Sequence, residues 1–372
     1  MAFTAIESFC GAGGMALGLR DAGFDVRLVF DNVPIHIETH NKNLGPHGHV
    51  LDASTVTGSE LLRLAGLSYG DLDLFAGGPP CQGFSKQRRG AVALNDPRNG
   101  LVLHFARLVQ ETGAKCFLFE NVQIFGQKRG ADFIREFANH LERYRIYCFF
   151  VCASDFGLAQ TRGRFLMIGV RKDLGRMVPA LLKSEPGRTV REVIGDLPSP
   201  PEDYSEHAEY ANHIKCRITA LNEKRFSHVP PGGGWQDIPW HLRLKCHQVG
   251  DVRSGGWPDV YGRLEWDGQC PTLTGGFDSF TRGRYGHPAE NRSITPREAA
   301  RLQGFPDWFR FYGNRMDVRT QIGNAVPPPL ARAAGEAILL VLAGKNEGSG
   351  EQKVFPRLDY REPQMALGLG AG

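Results

Sequence analysis

Along residues 3–171, short apolar runs alternate with longer stretches in which apolar positions recur every three or four residues. The runs at 3–9, 26–31, 50–51, 72–76 and 116–119 predict strands, and the stretches at 15–22, 35–43, 58–65, 100–111 and 131–144 predict the helices that follow them. Two more runs, 146–153 and 164–171, predict strands that pair as a hairpin. This alternation predicts an α/β fold with a doubly wound, mostly parallel sheet, on which ligands bind at the carboxyl ends of the strands. Beyond residue 172 the periodicity fails. Residues 179–201 are punctuated by proline, and the stretch to about 266 is rich in Gly, Trp, Arg and His, which predicts a second, smaller and irregular lobe. Thr295-Pro296-Arg297-Glu298 has helix-start chemistry, with Thr as cap, Pro at the first position and Glu in the first turn. The amphipathic segment 328–342 predicts a closing helix, and residues 344–372 a flexible tail.

Composition adds limits rather than structure. The chain has 372 residues, 41% of them apolar and 23% charged, which is globular and large enough for a core without disulfide or metal staples. Gly, Pro or charge interrupts each apolar run short of the roughly 18 residues of a membrane span. The start, Met1 to Glu7, lacks the basic region of a signal peptide, so a soluble cytoplasmic protein is expected. The eight cysteines form no CxxC pair, and no metal site is expected. The net charge of +4 comes from a basic excess between Asn212 and Arg319. A solvated basic face and a surface for a polyanion explain that excess equally well.

The candidate chemistry lies just past the predicted strands. Phe9-Cys10-Gly11-Ala12-Gly13-Gly14 follows the first, where glycines let a nucleotide-like ligand approach the backbone. The third glycine of the dinucleotide pattern and the Lys-Ser/Thr of a P-loop are both missing. Asp31 closes the second strand, where a carboxylate could hold ribose hydroxyls, and Asp52 closes the third; either could equally be a cap. Cys81 stands in Gly77-Gly78-Pro79-Pro80-Cys81-Gln82-Gly83-Phe84-Ser85, a rigid strand-end loop suited to a nucleophile. Glu120-Asn121-Val122 occupies the same place after the fifth strand, and Gln160-Thr161-Arg162-Gly163-Arg164 brings two guanidiniums to that edge. A thiol, a carboxylate and an arginine on one rim suit addition of a nucleophile to an electron-poor ring.

These motifs resemble those of the DNA (cytosine-5) methyltransferases, bacterial type. The resemblance runs from about Phe3 to Leu342, and includes Arg297-Glu298-x-x-Arg301-Leu302-Gln303-Gly304-Phe305-Pro306 and Gln321-Ile322-Gly323-Asn324-Ala325-Val326-Pro327-Pro328, in the family's order and spacing. It implies a Rossmann-like methyltransferase fold and S-adenosylmethionine as methyl donor. Cys81 would attack C6 of a flipped-out cytosine, Glu120 would hold the ring at N3 and the exocyclic amine, and Pro80 would offer a carbonyl to that amine. Arg162 would contact the cytosine O2 and orient Glu120, with Arg164 binding phosphate or supporting the site. Phe9, Gly11, Gly13, Asp31, Asp52, Pro79, Leu101, Asn324 and Val326 would form the cofactor pocket. Asp31 departs from the usual Glu, and Val33 from a common second acid. The loop with Gln82, Ser85, Lys86, Arg88, Arg89 and Arg98 would close over DNA.

The same resemblance implies a large lobe of residues 1–185 plus 317–343 and a target-recognition lobe of 186–316, variable over about 212–267. There Arg225, Arg243 and Arg263, with Lys215, Arg217, Lys224, Lys245 and Arg253, would read bases or phosphates, and Gly232-Gly233-Gly234-Trp235 would be a flexible loop able to enter a groove. The tryptophans mostly build a small core. A monomer acting on double-stranded DNA, in a system with or without a cognate restriction endonuclease, is expected. A transfer-RNA methyltransferase and a non-catalytic DNA-binding relative are the competing readings; the second usually loses the cysteine or the Glu-Asn pair, both present here.

Overall fold

The computed structural model describes residues 2–80, 100–127, 131–183, 187–249, 259–345, 353–354 and 358–359. The chain starts at the middle of a sheet. Strand β1 (Thr4–Ser8) pairs in parallel with β2 (Asp25–Asp31) on one side and β4 (Leu74–Gly77) on the other; β3 (Gly48–Val50) and β5 (Cys116–Val122) extend the two sides, also in parallel. Helices α1 (Gly14–Ala22), α2 (Pro34–Leu44), α3 (Gly58–Ala65) and α4 (Leu101–Thr112) follow β1 to β4, and α5 (Ala131–His140) follows β5. β6 (Tyr144–Cys152) and β8 (Gly163–Arg171), with the two-residue β7 (Gln160–Thr161) between them, form the predicted hairpin. β8 inserts between β5 and β6, antiparallel to both. The sequence pattern contains the hairpin but not its insertion.

The two sheet faces are covered separately. Leu61 and Leu62 of α3, Phe105 of α4 and Phe137 of α5 pack with Phe117 and Phe119 of β5 in one core cluster. Met15 and Leu19 of α1 pack with residues 330–341, near the end of the described chain, in the other. Between lie α6 (Val190–Ile194), α7 (Ala220–Phe226), α8 (Lys245–Val249), α9 (Pro296–Leu302) and α10 (Arg315–Asn324), before α11 (Pro328–Leu342). The expected cap of α9 forms a full capping box, Thr295 accepting from the Glu298 N–H and Glu298 from the Thr295 N–H. Glycine lets α1 and α11 touch backbone to backbone: a Cβ at Gly18 would lie 2.3 Å from the Pro328 carbonyl oxygen.

Arg315–Leu342 is, among the described residues, the helical stretch apolar enough in length and composition to cross a membrane. It is two helices parted at 325–327, and Leu330, Ala334, Ile338 and Val341 of α11 are buried against the sheet layer, so it is a core element. The smaller cluster of Phe226, Val229, Trp235, Ile238, Tyr261 and Phe280 sits among short helices and turns. Two short described parts of the tail lie against strands. Lys353–Val354 pairs with Leu181–Leu182, and Leu358–Asp359 with the outer edge of β6, covering part of a strand that would otherwise be open.

Candidate active site

The turn after β1 is held in a conformation that only a specific sequence tolerates. Phe9, Gly11 and Gly13 have φ of 54, 51 and 102°, in the left-handed region. For Phe9 this costs about 1–3 kcal/mol, a strain typical of functional turns. A Cβ on Gly13 would stand 2.6 Å from His40 Nδ1, whereas one on Gly11 would meet nothing within 4 Å among the described residues, which pack the turn on one side and leave the other open. Asp31 braces it: Oδ2 accepts the Gly11 N–H at 3.0 Å, Oδ1 accepts the Val33 N–H at 2.9 Å, and His36 Nδ1 lies 3.2 Å away. The departure from Glu thus has a local consequence. The shorter carboxylate spends most of its acceptor capacity on the turn itself. Asp52 is exposed at the end of the third strand, with the Ser54 N–H and Oγ–H bonds holding its carboxyl below the usual range.

Glu7 of β1 carries no motif signal beyond its place before the turn, and sequence reasoning passes over it. It is buried, its Oε2 has no hydrogen-bond partner among the described residues, and burial followed by the Asp31 charge pushes its carboxyl well above the usual range. His40 is fully buried beneath the turn, with Nε2 3.1 Å from His47 Nε2. Burial, then His47, pushes its pKa down to about 3. The native state therefore holds His40 neutral, while the unfolded chain protonates it below about pH 6.5. The stability this contributes is complete above pH 6.5 and is lost as pH falls from there towards 3. We expect the thermal midpoint to drop across that window, and His40→Gln to flatten the drop. An unchanged pH slope in the variant would exclude His40 as the source.

The second half of the site forms where β4, β5 and β8 meet. Arg164, opposite Val122 in the antiparallel register, lies on the same sheet face as Glu120, because alternate strand residues share a face. Its Nε donates to Glu120 Oε1 at 2.7 Å, with both side chains about a tenth exposed. Gly78 leaves room for the carboxylate: a Cβ there would be 3.2 Å from Glu120 Oε2. Asn121 Nδ2 donates to the Pro79 carbonyl at 3.1 Å and ties the β4 loop to β5. Arg162, by contrast, is committed to backbone carbonyls: Leu273 at 2.7 Å, Gly323 at 3.0 Å and Ala325 at 3.2 Å. Burial and then Arg164 pull its pKa well down, with Glu120 opposing. The expectation that Arg162 orients Glu120 is corrected here. Arg164 takes that role, because the strand register puts it, and not its neighbour two residues back, beside the carboxylate.

Residues 3–340 match the model of the C-5 cytosine-specific DNA methylases. The chain belongs to this family. The Type II methyltransferase M.XorII of Xanthomonas oryzae pv. oryzae is 35% identical over 93% of this chain and 87% of its own length. M1.HphI of Haemophilus parahaemolyticus is 36% identical over 91% and 87%. A solved E. coli structure, described as a prophage-encoded DNA modification methyltransferase, superposes with a TM-score of 0.67 at 30% identity, covering 92% of this chain and all of the other. The sheet is that of the Rossmann-like methyltransferases, and the enzyme is a DNA (cytosine-5)-methyltransferase.

In this methylase, Phe9, Gly11, Gly13, Asp31 and Asp52 gather along the carboxyl ends of β1 to β3. Leu101 opens α4, and Asn324 closes α10. Val326 comes against both glycine segments: its carbonyl oxygen would be 2.3 Å from a Cβ on Gly14, and its Cγ2 3.6 Å from one on Gly78. Cys81 and the loop residues Gln82, Ser85, Lys86, Arg88, Arg89 and Arg98 lie outside the described residues, as does Arg253.

The DNA contacts expected of the small lobe need correction. Arg263 is buried, and its guanidinium donates to the Val229, His287, Glu290 and Phe226 carbonyls and to Asn291 Oδ1, with burial pushing its pKa down to about 10. Its donors are spent within the lobe. Half-buried Arg225 donates to Leu242 O and Asn222 Oδ1, and Arg243 to Ile238 O and Gln236 O while lying between Trp235 and Trp240. The glycine loop is pinned rather than free, since Arg284 Nη1 holds the Gly232 and Gly233 carbonyls and Asp237 the Gly234 N–H. The physical reason is common to all. A lobe with little regular structure leaves many carbonyls without ladder partners, and arginine supplies the donors. Exposed Arg217, Lys224, Lys245 and Arg282 remain for contact. Arg263→Ala should therefore destabilise the fold by about 3 kcal/mol or more, by stranding buried carbonyls, without altering sequence preference. Calorimetry and bisulfite sequencing of the product test both halves; a stable variant with relaxed preference would contradict the assignment.

Proposed function

We propose that this methylase transfers the methyl group of S-adenosylmethionine to C5 of a cytosine flipped out of duplex DNA, through a transient bond between Cys81 Sγ and cytosine C6. The observation that carries the reading is the Arg164–Glu120 pair beside the Gly78-Pro79 loop, because the nucleophile follows that loop within two residues. A stacked cytosine hides its C5–C6 bond, so the base must leave the helix to react. Addition at C6 pushes charge onto N3, where Glu120 can share a proton, while Arg164 keeps its carboxylate aimed. Asn121 ties Pro79, two residues before Cys81 in the chain, to β5.

S-adenosylmethionine supplies an electrophilic methyl group and, afterwards, a neutral thioether leaving group. The residues present fit such a donor. The open face of Gly11 would accept a close approach, Asp31 and Asp52 would hold ribose and adenine groups, and Glu7 Oε2 would take a donor such as an ammonium group. Residues 186–316 would select the target sequence. The Type II names of the relatives support a bacterial restriction-modification setting in the cytoplasm, with a cognate endonuclease as genetic rather than physical partner. Incubation of unmethylated plasmid and of transfer RNA with tritiated S-adenosylmethionine tests the reading. Label in C5 of plasmid cytosine is expected, and label confined to RNA would overturn it.

A further inference from the structure

Arg162 has no carboxylate of its own, because Glu120 is held by Arg164. A buried cation in that position is costly unless its donors are met. They are met by two segments far apart in sequence: Leu273 from the small-lobe side, and Gly323 with Ala325 at the end of α10. Two buried glutamines repeat the link. Gln160 Oε1 accepts the Leu273 N–H at 3.0 Å, its Nε2 donates to Gln303 Oε1 at 2.7 Å, and Gln303 Nε2 donates to the Ala325 carbonyl at 2.8 Å. Asn324 and Val326, which flank Ala325, belong to the cofactor side of the site. One donor of Arg162, the buried Nε–H, is left without an acceptor. An acceptor brought to this buried Nε–H would stabilise the arrangement.

We propose that Arg162 is a positioning residue that couples DNA binding to cofactor binding. DNA seated on the small lobe fixes Leu273, and Arg162 passes that constraint to the Gly323–Ala325 segment that walls the donor pocket. Apolar packing would hold the lobes together equally well; a hub whose hydrogen bonds close only when both segments are placed makes each side sensitive to the other. By linkage the effect is reciprocal, so the donor also tightens DNA.

The inference rests on S-adenosylmethionine being the donor, and the test separates the two. Binding of S-adenosylhomocysteine to the full chain is measured with and without a plasmid that the wild type methylates. The wild type is expected to bind several-fold more tightly with DNA, in the usual coupling range of about 5–150-fold. Arg162→Met should lose the enhancement, and Arg162→Lys should restore part of it. Gln303→Met, which cuts only the glutamine link, should halve the enhancement or more, and decides the matter if Arg162→Met does not fold. A purely structural role would lower stability and leave the ratio intact. Unchanged enhancement in the folded variants, or none in the wild type, overturns the proposal; failure of the wild type to bind S-adenosylhomocysteine overturns the donor reading instead.

Discussion

Glu120→Gln should slow methyl transfer by roughly 10²-fold or more, the usual worth of a positioned acid, while duplex DNA binds nearly as before. An amide is close in shape and its oxygen can still accept from Arg164 Nε, so the surroundings survive the change. What it cannot do is exchange a proton with the attacked ring at neutral pH. The loss should appear in a single-turnover rate and not in a gel-shift affinity. Arg164→Met should reproduce part of it by releasing a carboxylate that is only about a tenth exposed. Near-normal turnover in Glu120→Gln would remove Glu120 from the mechanism.

Cys81→Ala should abolish transfer altogether, since no other group replaces the bond to C6. Of the eight cysteines, Cys10, Cys116, Cys148, Cys216 and Cys270 are buried, and burial raises the thiol pKa of Cys10, Cys116, Cys216 and Cys270 and so withholds the thiolate. Duplex DNA carrying 5-fluorocytosine cannot lose a C5 proton and should trap the wild-type enzyme covalently in the presence of the methyl donor. A band of undiminished intensity from the alanine variant would reassign the nucleophile.

The large lobe was legible because local signals and global fold agree there. Apolar runs mark strands, Thr295 marks a helix start, and glycine marks the turn after β1. Helix 131–144 was read too long because Leu141 and Tyr144 are buried as its periodicity requires, yet Tyr144 already begins β6. Side-chain partners were less legible. Arg162 and Arg164 are two residues apart in one motif, and only the β5–β8 register tells which faces Glu120. In the small lobe, charge misled. An arginine that satisfies carbonyls, such as Arg263, looks the same in sequence as one that meets phosphate.

The contact between Gly18 and Pro328 also orders events during synthesis. Every strand of the central sheet through β8 has been translated before α11 exists, and α1 must wait for it. A ribosome halted before residue 328 would display a sheet face with Met15 and Leu19 uncovered. One halted a few residues earlier, before 324, would also lack Asn324 and Val326, the second of which lies against the glycine segments. Incomplete chains would therefore expose apolar surface and be good substrates for proteolysis.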